Sequence, residues 1–127
     1  MLEKGFLILA TVVWVPYGLM CFLDPAALAE SPGVVASTPT ASTEIRAMYG
    51  GLQTAIGALA LLALFRSELA KSALVCLATL SAGLLTARLL GLAMDGGYTS
   101  YTGMAIGFEI FFLSSSVFLI GRRKEAT

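Results

Sequence analysis

GFLILATVVWVPYGLMCFL, residues 5–23, runs for 19 positions without a charged side chain. At 1.5 Å of rise per residue a helix of that length covers about 28 Å, close to the roughly 30 Å hydrocarbon core of a bilayer. Three more apolar runs of spanning length follow, at about 44–65, 70–94 and 101–121. A transmembrane barrel would need alternating segments of about ten residues, and these runs do not alternate. The fold class is therefore all-α: an integral membrane up-down bundle of four transmembrane helices, with residues 1–127 as a single domain. Composition agrees, since 57% of the 127 residues are hydrophobic and 13% are charged, against about 25% charged in soluble proteins. Almost no chain is left outside the spans for a catalytic domain, a nucleic-acid surface or an acidic tail.

The N-terminal run also resembles a signal peptide, with Lys4 ahead of it and Ala27-Leu28-Ala29 placed like a cleavage site. Its length exceeds the usual h-region of 7 to 15 residues, which favours a retained span. Between the first two spans lies the one sizeable loop, 24–43, where Asp24 can cap a short helix started by Pro25 and a Ser/Thr/Pro-rich stretch follows. Span two is expected to open with Ser42 or Thr43 as N-cap and Glu44 in its first turn. The links 66–72 and 95–100 are short, so successive spans run antiparallel.

Eight basic and eight acidic residues give zero formal charge, so placement carries the information. Lys4, Arg66, Lys71, Arg122, Arg123 and Lys124 all fall on one side, which the positive-inside rule makes cytoplasmic. Both termini are then expected inside, with the 24–43 loop and the 95–100 turn facing outward from a bacterial inner membrane. Cys21 and Cys76 sit inside apolar runs without CxxC spacing, and the chain has no histidine. That pattern offers no metal site, haem ligand set or catalytic triad, and no cofactor is expected.

Two basic residues remain, Arg46 and Arg88, together with one embedded acid, Glu109. Arg88 lies seven residues from Asp95 and Glu109 eight from Tyr101, so both are about 10–12 Å below the outer ends of their spans. A charge near the bilayer centre costs about 2.5–3.5 kcal/mol on insertion scales, so such groups turn inward and pair. An Arg88–Glu109 ion pair is expected. At 100° per residue, Arg46, Tyr49, Gly50, Gln53 and Gly57 form one stripe. Ser81, Arg88, Gly91 and Asp95 form a second, Thr102, Glu109 and Ser116 a third, and Tyr17 aligns with Asp24. These faces predict a polar cup opening outward above an apolar floor. Tyr17, Arg46, Tyr49, Gln53, Arg88 and Glu109 are its candidate ligand-binding residues, with Asp24 and Asp95 behind them. The same groups also suit polar glue that sets helix register without any ligand. Gly50-Gly51, Gly57 and Gly103-x-x-x-Gly107 point to close helix approach within or between chains.

The string Glu44-Ile-Arg46-Ala-Met-Tyr49-Gly50-Gly51-Leu-Gln53, with Arg88, Asp95-Gly96 and Glu109 further on, resembles a family of small four-span bacterial membrane proteins known only as a domain of unknown function. The resemblance covers nearly the whole chain and implies the four-span architecture without an activity. In architecture alone the chain is also similar to DoxX-like proteins, some of which are associated with quinone-linked redox complexes. Three functions suit these features. One is binding of the polar end of a lipid or quinone-like amphiphile in the cup. Another is service as a structural or assembly subunit of a larger membrane complex, or as a homo-oligomer. The last is proton-coupled transport through Glu109, Arg88 and Asp95. No nucleophile or cofactor motif supports catalysis, and nucleic acid is not an expected partner.

Overall fold

The structure, a computed structural model, describes residues 1–125, with side chains to residue 123. The Lys124 side chain, counted above among the charges of one side, lies outside the described residues. The described residues form four long helices: α1, Leu2–Leu23; α2, Pro39–Phe65; α3, Ala70–Asp95; and α4, Ser100–Glu125. Each is long and apolar enough to cross a membrane, and the described residues contain no strand. Short 3₁₀ turns occupy Pro25–Ala29 and Ser67–Leu69.

The start of α2 differs from the expected one. The helix opens at Pro39, with Thr38 as N-cap accepting from the Ala41 N–H at 3.1 Å. Proline suits the first helical position because its missing N–H would have had no partner there. Ser42 and Thr43 are therefore inside the helix, and the Thr43 hydroxyl donates to the Pro39 carbonyl at 3.1 Å. A Ser/Thr-rich run reads as loop from composition, yet one capping threonine followed by proline is enough to begin a helix.

The chain divides into two compact units, Met1–Ala70 and the part from Lys71 onward. In the first, α1 and α2 meet backbone to backbone through glycines. A Cβ on Gly57 would lie 2.8 Å from the Val15 nitrogen, and one on Gly50 would lie 2.8 Å from the Phe22 Cβ. Gly18 on α1 is as confined, between Thr54 and the Gly50 carbonyl. Small residues let membrane helices approach this closely, and dispersion contacts then hold them where no hydrophobic driving force separates helix from lipid. The loop folds back over the end of this pair. Asp24 accepts from the Ala26 N–H at 3.1 Å to start the 3₁₀ turn, and the Val34 N–H returns to the Leu28 carbonyl at 3.0 Å. Leu28 then packs with Cys21 and Ile45 in an apolar cluster joined by Tyr17, Val34, Ala36 and Tyr49.

In the second unit α3 and α4 are joined by a turn whose Gly96 and Gly97 both have positive φ, 70° and 78°. Two successive left-handed residues reverse the chain at no cost only when neither carries a Cβ. Thr99 accepts from the Thr102 N–H at 3.2 Å, which satisfies a backbone donor at the start of α4.

Candidate functional site

Within the second unit the structure brings Arg88 of α3 and Glu109 of α4 together. Arg88 Nε donates to Glu109 Oε1 at 3.0 Å and Oε2 at 3.2 Å, while Nη2 donates to Oε1 at 2.8 Å. This is the bidentate fork-to-carboxylate arrangement, in which charge-assisted hydrogen bonds are shorter and stronger than neutral ones. The partners are unequally covered, with the Glu109 side chain 3% exposed and the Arg88 side chain 27% exposed. Phe108 and Phe112, with ring centroids 4.5 Å apart, flank Glu109 along α4. An unpaired carboxylate would be costly among them. The ring of Tyr101 stands 5.9 Å from the Arg88 guanidinium carbon, within cation–π range. Nearby, the Tyr98 hydroxyl lies over Gly103, in the space a side chain there would fill. Gly103 thus accommodates a tyrosine of its own hairpin, and a Cβ on Gly107 would meet nothing within 4 Å.

Four of the other candidate residues belong to the first unit. Arg46 donates from Nη1 to the Phe22 carbonyl and sits 5.7 Å from the Phe22 ring centroid. That carbonyl is among the last four of α1, which have no donor within their own helix, and a cation there also opposes the negative end of the helix dipole. Arg46 therefore closes α1. Tyr17 and Tyr49 lie in the apolar cluster beneath the loop, and Gln53 is half-buried on α2. Asp24 is spent on capping the 3₁₀ turn, and Asp95 is exposed at the end of α3. Gly18 is a further contact residue of this unit. A lone glycine in an apolar run carries no local signal, and its role becomes visible only from the Thr54 and Gly50 backbone pressed against it.

The family described as Domain of unknown function (DUF4345) matches residues 2–120. The chain belongs to this family. Neither the curated proteins nor the solved structures hold a match to it. The family finding covers the uncharacterised family and does not extend to DoxX-like proteins.

In this DUF4345 chain the Arg46-Ala-Met-Tyr49-Gly50-Gly51 part of the element quoted above is a π-helical turn, Arg46–Gly51, inserted in α2. Its pattern shows in the Leu52 N–H, which reaches back five residues to the Ala47 carbonyl. Such turns are rare and concentrate at functional sites. Here the turn holds Arg46 against the end of α1 and Gly50 against Phe22. The Thr54 hydroxyl then donates to the Gly50 carbonyl at 2.8 Å. The contacts around the turn are structural: a helix end is capped, two helices are pressed together, and two half-buried tyrosines pack against an apolar cluster beneath the loop. The remaining polar candidates of the DUF4345 chain, Arg88 and Glu109, stand with Tyr101 in the second unit.

Proposed function

We propose that this small multi-pass membrane protein holds the polar end of an amphiphile, a lipid headgroup or a quinone-like molecule, against Arg88. One observation carries the reading: a guanidinium clamped by a buried carboxylate keeps a 27% exposed side chain inside a membrane-spanning helix. Glu109 occupies the Nε and Nη2 edge and fixes the orientation of the group. A guanidinium carries five N–H donors, and at a depth where water is scarce its exposed part suits an acceptor oxygen, a phosphate ester or a quinone carbonyl. Tyr101 offers an aromatic face beside it. The test is mass spectrometry of protein extracted with its native lipids, the wild type beside Arg88→Leu/Glu109→Leu, which removes both charges so that neither is left unpaired. An amphiphile enriched on the wild type and lost from the double variant is the expected result, and its identity separates lipid from quinone. Equal profiles would end the proposal.

A second reading is favoured by Arg46, Tyr17 and Tyr49, whose contacts are structural. In it the protein is a structural or assembly subunit, or a homo-oligomer, and the buried charges set helix pairing. The same mass spectra would then show a stoichiometric polypeptide, or a second copy of the chain, and no enriched small molecule.

For the setting we propose a bacterial cytoplasmic membrane with both termini inside, supported by six of the eight basic residues falling at one set of helix ends. A fluorescent-protein fusion at the C-terminus should fluoresce, and an alkaline phosphatase fusion at the same point should stay inactive. The opposite pair of outcomes would reverse the orientation.

A further inference from the structure

We propose that Ser81 of α3 and Ser116 of α4 together hold one water molecule, two helical turns deeper in the hairpin than the Arg88–Glu109 pair. The starting point is an anomaly among hydroxyls. Thr11, Thr54 and Ser114 each donate to the carbonyl one turn back, at 2.8, 2.8 and 2.7 Å. This is the ordinary way for a hydroxyl in an apolar helix to satisfy itself. Ser81 and Ser116 are more deeply buried, at 1% and 0% exposure, and neither Oγ has a hydrogen-bond partner among the described residues.

Their positions match. Ser81 lies seven residues before Arg88 and Ser116 seven after Glu109, two turns from the ion pair along antiparallel helices and on the same faces as the pair. The turn gives nearly the same register, since Asp95 is 14 residues beyond Ser81 and Ser100 is 16 before Ser116. Around them the buried stripes are otherwise apolar: Ala73, Leu74 and Leu77 on α3, Phe112 and Leu119 on α4. Two hydroxyls thus interrupt two apolar stripes at one level, and they do not bond to each other. Buried polar groups left unmet by protein are commonly met by an internal water, which needs two to four polar partners and supplies both donors and acceptors. Ser81 and Ser116 provide two such partners, each able to donate and to accept. The site does not depend on amphiphile binding at Arg88.

Water-edited solid-state NMR of the protein in lipid bilayers tests it. Transfer of magnetisation from water to the Ser81 and Ser116 side chains is expected to build up as fast as at exposed Tyr98, while Leu77 and Phe112 stay slow. Ser81→Ala should abolish the fast build-up at Ser116, and Ser116→Ala should abolish it at Ser81. Two outcomes would overturn the proposal: serines as slow as Leu77, which means that the hydroxyls bond to protein, or fast build-up at one serine that survives loss of the other, which means general wetting of the helices.

Discussion

Replacing Glu109 by leucine is expected to lower unfolding stability by about 3–5 kcal/mol, because it leaves the Arg88 guanidinium within a membrane-spanning helix without its counter-ion. Arg88→Leu should do similar harm, since the carboxylate it abandons is the better buried partner. The informative variant is the double one. With both charges gone, two leucines of suitable volume fill the seam and nothing is left unpaired, so stability should return close to that of the wild type. Thermal or denaturant unfolding in mild detergent gives the four corners of the cycle, and the coupling is read from its failure to add. Losses that simply sum in the double variant would show that the bidentate contact carries no energy. The cycle is also a control for ligand experiments, because it separates a variant that has lost a binding group from one that has lost its fold.

The second large effect is expected from a single methyl group. Gly57→Ala puts a Cβ 2.8 Å from the Val15 nitrogen and 3.1 Å from the Trp14 Cβ. Backbone cannot swing aside as the end of a flexible side chain can, so α1 and α2 must separate. Overpacking in a core usually costs about 1–3 kcal/mol, and a clash against a neighbouring helix backbone belongs at or above the top of that range. Gly83→Ala on α3 is the matched control, because a Cβ there meets nothing within 4 Å. It should be neutral or slightly stabilising, since alanine is the better helix former. Unfolding midpoints of the two variants settle the comparison, and equal midpoints would mean that the α1–α2 contact is looser than the structure shows. A displaced α2 would also draw Arg46 away from the Phe22 carbonyl.

Much of this was legible in the chain, and the reasons are physical. Four apolar runs of spanning length leave a helix as the only way to satisfy the backbone in lipid, so the helices could be counted directly. The pairing of Arg88 with Glu109 follows from counting seven and eight residues out from a short turn, which sets depth, and from the expense of a lone charge at that depth. The beginning of α2 was harder to place. Thr38-Pro39 is a good helix start, but the Ser/Thr-rich residues after it compete for the same backbone donors, and composition alone cannot say which hydroxyl wins.

Arg46, Tyr17, Tyr49 and Gly18 belong to the other class. Helical spacing assigns Arg46 and Tyr49 a depth and a face, and nothing in their own segment says what stands opposite. The end of α1 stands there, with a Phe22 carbonyl to which Arg46 donates, and Leu28 and Val34 pack with the tyrosines from a loop whose path is not periodic. Sequence by itself therefore determined the number of helices and the pairing of Arg88 with Glu109, because these depend on the solvent and on local geometry. Tertiary structure alone decided which polar groups cap and which glycines touch, because those outcomes depend on surfaces brought together from residues tens of positions apart.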